Sequence, residues 1–419
     1  MKLNYQKFAY QISTITLIFF IGFFVAYKRL FPYDHLNKTF NGITQILKGN
    51  IRHHLCEINP KRDTTDFIYK SDLDSTEQLF LISYVDEELV NHIKLIANDG
   101  KLINQWEIDN LLTQFIEGEE GFNKNNAGRI HVSGIILRSN GDILLNVVGN
   151  GIFCLKWSGK IKWAKDYKTH HSLHCDKYGN IWTCLYDNND FALKNSLFFN
   201  DKAMDDFILE LDSLGNFMKK WSVTSLLLKN KYDGIINQNQ HEEDRYHIND
   251  VETYDLSSKG FFNKNDVMIS LRNLNTIFVF DQTTDSIKWM STGRFHRQHD
   301  PDFIDSKNII LFDNKYLNYS TETIYSRIVK INANENSIHN LYGGEEKQGF
   351  FTSTLGKQEL TKNGNILFTS SHEGKIFKVS PKGEILWVLT NYTEDKSLKT
   401  VVIEASVIER DYLKFNINK

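Results

Sequence analysis

The sequence predicts an all-β protein, a six-bladed β-propeller preceded by a single N-terminal transmembrane helix. Three observations support this prediction. A unit of strands and turns recurs along most of the chain, proline is scarce at 4 residues while glycine and asparagine recur at short intervals, and one uncharged apolar stretch lies near the N-terminus. Repeats of this kind, rich in turn residues, are typical of radial β-architectures.

The apolar stretch, "AYQISTITLIFFIGFFVAY" at 9–27, carries no charge and is flanked by basic residues on both sides. It is about long enough to cross a bilayer. No small-residue cleavage motif follows it, so we expect an uncleaved membrane anchor over 1–30, with a cleaved signal peptide as the alternative. A polar linker over 31–70 then separates the anchor from the folded body.

The folded body, over 71–412, is repetitive. A unit of roughly 45–65 residues contains a turn, an apolar strand, a second strand, another turn and a strand that closes on a large residue such as tryptophan. Six copies are found, at 79–109, 138–166, 176–187 with 206–223, 266–292, 306–314 with 326–344, and 361–390. Each copy supplies about four short strands, as a propeller blade requires.

Composition excludes several classes of function. The formal net charge of -3 gives no general attraction to nucleic acid. The four cysteines, Cys56, Cys154, Cys175 and Cys184, form no C-x-x-C pair, so no zinc ribbon or redox motif is indicated, and disulfide pairing is left open. No phosphate-binding glycine-rich loop is present, so a nucleotide donor is disfavoured.

The first strand of each blade lines the central channel of a propeller, so its side chains are candidates for a site. Counting back nine residues from the turn before the second strand finds Ser133 in blade 2, His171 in blade 3 and His299 in blade 5. His247 stands at the corresponding strand start in blade 4. Three histidines from neighbouring blades are therefore expected to face one funnel.

Arg272 ends the strand that pairs antiparallel with the strand begun by His247, and in a hairpin these two positions lie at the same edge. Histidines beside an arginine, without a matching set of carboxylates, indicate an anion such as a phosphate or sulfate monoester. Guanidinium donors bind paired oxygens, and a neutral imidazole can attack. A zinc or copper site is the alternative, which repulsion between Arg272 and a dication disfavours.

Other histidines lie close to these positions along the chain. His170, His174 and His296 are expected to be supporting neighbours, with His174 and His296 as substrate-binding candidates, and "HHSLH" leaves open whether His171 or His174 faces the channel. Long polar insertions at 187–205 and 226–246 are expected to form a lid. Candidate ring contacts for an aromatic substrate are Phe198, Phe199, Tyr232, Tyr246 and Phe295.

At these residues the sequence resembles a known family, the periplasmic, aryl-sulfate-dependent arylsulfotransferases. These are six-bladed propellers that move a sulfuryl group between phenols without a nucleotide donor. The resemblance covers about residues 125–390. It is densest in "HHSLHCDKYGN", "YHINDVE", "ISLRNLNTIFVFDQTTDSIKW" and "QHDPDFIDSKNIILFDN".

The resemblance implies that His299 becomes transiently sulfated and that His247, Arg272 and His171 hold the sulfuryl or phenolic oxygens, with Asn249 in support. It also implies ping-pong transfer through a sulfohistidine without a metal or other cofactor. The implied partners are a small-molecule aryl sulfate and a phenol. With the predicted anchor in the inner membrane, the propeller would lie on the periplasmic or another extracytoplasmic side.

Two alternatives come from other classes of function. A membrane-tethered propeller could bind an anionic ligand or a protein partner without catalysis, because a fold alone does not specify an activity. The grouping of His171, His247, Arg272 and His299 disfavours this alternative, since a scaffold does not need it. A quinone-dependent dehydrogenase is less well supported, because the repeated tryptophan-docking motif and calcium-binding carboxylates of such propellers are not found.

Overall fold

The computed structural model describes residues 77–124, 130–187, 205–236, 244–316, 324–393 and 398–417, two short strands before them, and single residues between 10 and 24 and at 238. Most of the predicted anchor over 1–30 lies outside the described residues. Among those that are described, no helix combines the length and the apolar character that a bilayer crossing requires.

The described residues form mainly β-structure. The strands of the first half are β1 (Cys56–Ile58), β2 (Phe67–Tyr69), β3 (Gln78–Val85), β4 (Asn91–Ala97), β5 (Leu102–Glu107), β6 (Val132–Leu137), β7 (Ile143–Val147), β8 (Gly151–Leu155), β9 (Ile161–Lys165), β10 (Thr169–Cys175), β11 (Ile181–Asp187), β12 (Asp205–Leu211) and β13 (Phe217–Ser222). The strands of the second half are β14 (Ile248–Thr253), β15 (Asp266–Leu271), β16 (Thr276–Asp281), β17 (Ser286–Thr292), β18 (His299–Phe303), β19 (Asn308–Asp313), β20 (Arg327–Asn332), β21 (Ser337–Gly343), β22 (Gln358–Leu360), β23 (Ile366–Ser370), β24 (Lys375–Val379), β25 (Ile385–Thr390), β26 (Leu398–Thr400) and β27 (Val402–Glu409).

These strands form six antiparallel blades, as the repeats predict. Blades 2 to 5 are the sheets β6–β9, β10–β13, β14–β17 and β18–β21, and blade 6 contains β22–β25. Blade 1 closes the ring, because the C-terminal strand β27 pairs with β3 and becomes the innermost strand of the sheet that continues through β4 and β5. Closure of this kind leaves few exposed sheet edges.

The apolar core is divided into layers between neighbouring blades. One layer joins Leu144 and Ile152 of blade 2 to Ile181 of blade 3, and another joins Phe80 of blade 1 to Trp387 of blade 6. The middle strands therefore contact neighbours on both faces. This explains why they read as continuous apolar runs and not as alternating patterns.

Two segments of the predicted linker over 31–70 pair with strands of the folded body. Strand β1 pairs with β26, and β2 pairs with β25 as a fifth, outer strand of blade 6. The ring of Phe67 on β2 packs edge-on against Trp387 at a centroid distance of 5.4 Å. The last described residues also pack on the propeller, with Leu413 and Ile417 against the layer between blades 1 and 2.

Helices lie outside the sheets. In the described ranges from 77 to 417 they are α1 (Asp109–Gly118), α2 (Val223–Lys229) and α3 (Asp233–Ile236), with 3-10 turns at Arg272–Leu274, Glu346–Gln348 and Arg410–Tyr412. Helix α2 begins at an N-cap, Ser222, whose side chain accepts a hydrogen bond from Ser225 N. In the described part of the segment expected as a lid at 226–246, Leu226, Leu227 and Ile236 are core residues buried between blades 3 and 4. Most of the other segment expected as a lid, 187–205, lies outside the described residues.

Candidate active site

The innermost strands of blades 1 to 5 are bulged near their starts. The pairing register shifts between Val132 and Ile135 in β6, between His170 and Leu173 in β10, between Ile248 and Asp250 in β14, between His299 and Asp302 in β18, and between Val402 and Glu404 in β27. A β-bulge leaves a residue unpaired and turns its side chain away from the regular alternation.

The bulged residues surround one small cavity of about 60 Å³ in the channel. Its lining consists of Ser133, His171, Ser172, Asn249, Asp250, His299, Asp300, Leu355, Gly356, Lys357, Ile403 and Glu404. Every bulged strand contributes an unpaired residue to this lining. The cavity has the liquid volume of about two waters.

His299 begins β18, and Asn314 determines which of its ring nitrogens carries the proton. Nδ1 of His299 lies 2.8 Å from Oδ1 of Asn314 and 3.0 Å from the carbonyl oxygen of Arg297. The amide of Asn314 is oriented, because its Nδ2 donates to the carbonyl oxygens of Thr352 and Leu355 at 2.9 and 2.8 Å. Since Nδ1 faces two acceptors, it carries the hydrogen, and Nε2 keeps its lone pair.

Burial, together with the neighbouring Arg272 and His247, lowers the pKa of His299 to about 3, against the hydrogen bonds to Asn314 and to the Arg297 carbonyl. Residue His299 as a whole is only 7% exposed. His299 is therefore a neutral imidazole at physiological pH, which is the nucleophilic form.

The predicted pairing of His247 with Arg272 is present in the backbone. Arg272 follows β15 directly, and its N–H donates to the carbonyl oxygen of His247 at 3.1 Å. Nε and one terminal nitrogen of the guanidinium donate to Oδ1 of Asn273 at 3.3 and 3.2 Å. Within the described chain Arg272 forms no ion pair with a carboxylate, so its remaining donors are available to an anion.

His247 is held by a carboxylate. Its Nδ1 lies 2.9 and 2.7 Å from the two carboxylate oxygens of Asp244, and Asn273 Nδ2 donates to the carbonyl and to Oδ2 of Asp244 at 2.8 and 3.2 Å. Burial alone would raise the pKa of Asp244, but the hydrogen bond and charge of His247 hold it below its usual value. Asn273 thus links Asp244 to Arg272.

His171 meets His247 at the ring tips. Their Nε2 atoms lie 3.0 Å apart, and Nδ1 of His171 lies 2.7 Å from Nδ1 of His170. His171 and His247 have left-handed backbone conformations, with φ of 57° and 50°, which non-glycine residues adopt rarely and often at functional sites. Burial first, and then the charges of the other site histidines and Arg272, hold the pKa of His171 well below its ordinary value.

The nine-residue count does not place His171 and His299 at equivalent ladder positions. His299 pairs with Phe312 as the last residue before its bulge, and in blade 3 the residue in that position is His170, which pairs with Cys184. In β10, His171 and Ser172 are inserted between residues that pair with the consecutive partners Cys184 and Thr183. In β18, the two residues inserted after His299 lie opposite one partner residue, Leu311. Strand β10 therefore carries one more extra residue than β18, and this extra residue turns His171 towards the cavity.

The structure brings Asn249 to the cavity but not His174 or His296. Asn249 is buried in its bulge and donates from Nδ2 to the carbonyl oxygen of Gln298 at 2.8 Å. His296 lies in the turn before β18, where its backbone N–H donates to Asp313 Oδ1, and the lining of the described cavity does not include it.

His174 lines a second, larger cavity of about 1010 Å³ further along the channel. Its Nδ1 lies 2.6 Å from Glu252 Oε2, and its Nε2 lies 2.7 Å from Thr253 Oγ1 and 3.4 Å from Asp255 Oδ2. Burial would lower its pKa, but Glu252 and Asp255 raise it to about 10, so His174 is an imidazolium. His171 and His174 therefore both face the channel, at different depths.

Two of the aromatic residues expected to contact substrate are core residues. Tyr246 and Phe295 are completely buried in the layers between blades, and Tyr232 packs against the same layer as Tyr246. The remaining two, Phe198 and Phe199, lie outside the described residues. Tyr186, which no sequence pattern indicated, stacks on His170 with ring centroids 3.8 Å apart.

Asn314 and Asp244 were not predicted from the sequence. A signal for Asn314 existed, because it follows the strand that pairs with the one begun by His299, just as Arg272 follows the strand that pairs with the one begun by His247. Asp244 lies in the segment expected as a lid and carried no signal of its own. Asp300, the residue after His299, accepts a hydrogen bond from Gln358 N at 2.7 Å.

Comparison with solved structures finds other proteins of similar fold. One is a protein of unknown function from Bacteroides caccae, at 10% identity and a TM-score of 0.50, covering 80% of this chain and 100% of that one. Another is virginiamycin B lyase from Staphylococcus aureus, at 12% identity and a TM-score of 0.38, covering 76% of this chain and 86% of that one. At such identities a likeness concerns the fold alone.

No curated protein matches this sequence. A family profile does match: Arylsulfotransferase (ASST), over residues 144–392, which is more than half of the chain. The match spans blades 3 to 5 and most of blades 2 and 6, and it contains His171, His247, Arg272 and His299. The chain therefore belongs to the arylsulfotransferase family.

Proposed function

We propose that this protein transfers a sulfuryl group from an aryl sulfate ester to a phenol through a covalent sulfohistidine at His299. The observation that carries the proposal is the pair of acceptors at Nδ1 of His299, because it leaves the Nε2 lone pair of a neutral imidazole in the channel. Family membership supports the same reaction class.

The reaction consists of two displacements at sulfur. In the first, the Nε2 lone pair of His299 forms a bond to sulfur as the sulfur–oxygen bond to the aryl group breaks, and a phenolate leaves. In the second, the oxygen of an acceptor phenol attacks sulfur, the nitrogen–sulfur bond breaks, and the phenolic proton passes to a base. The two steps give ping-pong kinetics.

Charge on the sulfuryl oxygens is stabilised by Arg272 and by imidazole N–H groups. Arg272 has no competing carboxylate partner among the described residues, and burial lowers its pKa only to about 10, so it stays a cation. Preorganised donors of this kind act where charge develops in the transition state. His171 lines the same cavity as His299, with its Nε2 held 3.0 Å from Nε2 of His247.

We further propose that the propeller works on the extracytoplasmic side of the inner membrane, tethered by the apolar segment at 9–27. This part of the proposal rests on the sequence. Alkaline extraction of membranes containing the full chain tests it. Release of the protein into the soluble fraction would overturn the tether.

The enzymatic proposal is tested with 4-nitrophenyl sulfate and a second phenol, using the full chain, His299→Ala and a control, His339→Ala. His339 is exposed on β21, away from the cavity lining. We expect sulfated wild-type protein, detected by mass after donor alone, and nitrophenol release in wild type and control but not in His299→Ala. Full activity in a folded His299→Ala variant would overturn the nucleophile. Lack of turnover with a broad donor panel would favour an anion-binding propeller.

A further inference from the structure

The site continues into the protein interior as a chain of five side chains. Asp244 contacts Nδ1 of His247, Nε2 of His247 contacts Nε2 of His171 at 3.0 Å, and Nδ1 of His171 contacts Nδ1 of His170 at 2.7 Å. Nε2 of His170 then lies 3.5 Å from Oδ1 of Asp206. Each imidazole uses both of its nitrogens, one towards each neighbour.

The two ends of this chain differ in exposure. The side chain of Asp244 is 38% exposed, whereas those of His170 and Asp206 are 1% and 3% exposed. Tyr186 stacks over His170 and covers it. The chain therefore connects the channel side of blades 3 and 4 to a carboxyl group that is isolated from solvent.

A proton has to lie between His170 and Asp206. His170 Nε2 and Asp206 Oδ1 are both buried, form no hydrogen bond in the described chain, and lie 3.5 Å apart. An unprotonated ring nitrogen facing a carboxylate would place two lone pairs in contact without solvent, which is costly. One of the two groups must therefore carry a hydrogen.

The other hydrogens follow from this arrangement. Asp244 accepts from His247 Nδ1, so Nε2 of a neutral His247 is an acceptor for the Nε2–H of His171. Nδ1 of His171 then accepts from Nδ1–H of His170, and Nε2 of His170 accepts from a protonated Asp206. In this arrangement all three rings are neutral and every contact has one donor and one acceptor.

We propose that Asp206, acting through His170, gives up a proton in the first half-reaction of the proposed sulfuryl transfer and recovers it in the second. It is a positioning and proton-storage residue, because it reaches the substrate only through His170 and His171. The inference rests on the proposed function, since it needs a leaving phenolate and an acceptor phenol.

The proton balance closes over the two steps. As the phenolate leaves, the Nε2–H of His171, which His247 accepts at rest, passes to the phenolate oxygen, Nδ1 of His171 takes the proton of His170, and Nε2 of His170 takes the proton of Asp206. The O–H of the new phenol then donates to Nε2 of His171, so that this nitrogen does not face His247 as a bare lone pair. The products are phenol, sulfohistidine and the Asp206 carboxylate. When an acceptor phenol attacks, its proton moves back along the same path and Asp206 is neutral again.

The electrostatic environment agrees with this direction of transfer. Burial raises the pKa of Asp206 to about 7 and Asp244 reinforces this, against the neighbouring His247 and the backbone N–H groups of His247 and Ile248. Burial lowers the pKa of His170 to about 3, against the negative charge of Asp244 and a backbone contact to the Leu185 carbonyl. The proton therefore rests on the carboxyl group and not on a ring.

The relay matters only when the leaving group needs a proton. The phenolate from phenyl sulfate is about as basic as a tyrosinate, with a pKa of about 10. The phenolate from 4-nitrophenyl sulfate is stabilised by its nitro group and leaves without one. General acid catalysis contributes typically about 10²–10⁴-fold where it is required.

The test compares the full chain with Asp206→Asn over a series of aryl sulfates, measuring the rate of His299 sulfation in a single turnover. We expect a loss of about 100-fold with phenyl sulfate and less than about 3-fold with 4-nitrophenyl sulfate. For Asp206→Asn, the rate of sulfation should fall more steeply with increasing basicity of the leaving phenolate than it does for wild type. With wild type and phenyl sulfate, the rate should also fall above about pH 7 as Asp206 loses its proton.

Asp205→Asn is the matched control. Asp205 is the preceding residue on β12, equally buried, with a pKa also raised by burial to about 7, but it accepts from Ser222 and Thr224 and does not contact the histidines. Its variant is expected to change rates equally for all donors. His170→Gln serves as a second variant should Asp206→Asn fail to fold, because it interrupts the relay while keeping a polar side chain.

The outcomes separate this inference from the proposed function. Sulfated wild-type protein with any donor supports the proposed function. An Asp206→Asn or His170→Gln loss that is the same for both donors, or no loss at all, would overturn the relay and leave the proposed function standing. Absence of sulfated wild-type protein with every donor would overturn both.

Discussion

Nδ1 of His299 lies 2.8 Å from the side-chain oxygen of Asn314, whose own nitrogen is held by two backbone carbonyls. The asparagine cannot turn its amide without losing both of those hydrogen bonds. This contact therefore selects one tautomer of the proposed nucleophile and aims its lone pair into the channel.

Replacing Asn314 by leucine should lower the rate of His299 sulfation by about 10–100-fold, the usual cost of removing a residue that orients a reacting histidine. The physical reason is that only the Arg297 carbonyl would then hold the proton on Nδ1, so the tautomer with the proton on Nε2 becomes more populated. Single-turnover sulfation by 4-nitrophenyl sulfate measures the effect. Asn314→Asp retains an acceptor and should keep more activity than the leucine variant; the reverse order would contradict the role assigned to the amide oxygen.

Arg272→Lys should lower kcat by about 10²–10³-fold, because an ammonium cannot present the paired donors of a guanidinium to sulfuryl oxygens. Steady-state kinetics with 4-nitrophenyl sulfate and a phenol acceptor provide the measurement. Arg297→Lys is a useful comparison, since Arg297 contributes its backbone carbonyl to His299. If Arg272→Lys retained wild-type kcat, the assignment of Arg272 to the transition state would be wrong.

The rate of His299 sulfation by 4-nitrophenyl sulfate should stay nearly constant from pH 8 to pH 5. Burial lowers the pKa of His299 to about 3, so its neutral form persists throughout this range. An imidazole with the ordinary pKa of about 6.5 would lose about 30-fold between these limits. Rapid-quench measurements across the range decide the matter, and a decline centred near pH 6.5 would show that the ring is less desolvated than the structure indicates.

His174 should stabilise the fold in a pH-dependent way. The carboxylates of Glu252 and Asp255 overcome the effect of burial and raise its pKa to about 10, above the unfolded value. Its contribution is therefore complete below about pH 6.5 and is lost as the pH rises through 10. His174→Gln should lower the free energy of unfolding by about 1–3 kcal/mol at pH 6.

Denaturant titrations of wild type and His174→Gln at pH 6, 8 and 10 measure this difference. It should shrink with increasing pH, whereas His339→Gln on the exposed part of β21 should show little difference at any pH. A His174→Gln effect that is independent of pH would mean that the imidazole is not charged in the folded protein.

Much of the fold could be predicted from the sequence. Turn residues and a large closing residue, which is tryptophan in five of the six blades, are local signals, so six blades could be counted before any contact was known. Closure was less predictable, because β27 joins blade 1 across nearly the whole chain. The pairing of β1 and β2 with the folded body also depends on long-range contacts.

Local patterns are enough to identify His171, His247, Arg272 and His299, because each stands near the start or end of a strand that a repeat marks. How these residues are used depends on packing between the blades. The bulges turn unpaired side chains into one cavity, and an extra residue in the β10 bulge leaves His170, and not His171, at the ladder position of His299. Asn314 and Asp206 join the site through contacts with histidines on other strands. Asp244 joins it from a loop whose path no local pattern specifies. Such contacts depend on strand register and burial, which arise only when the blades pack together.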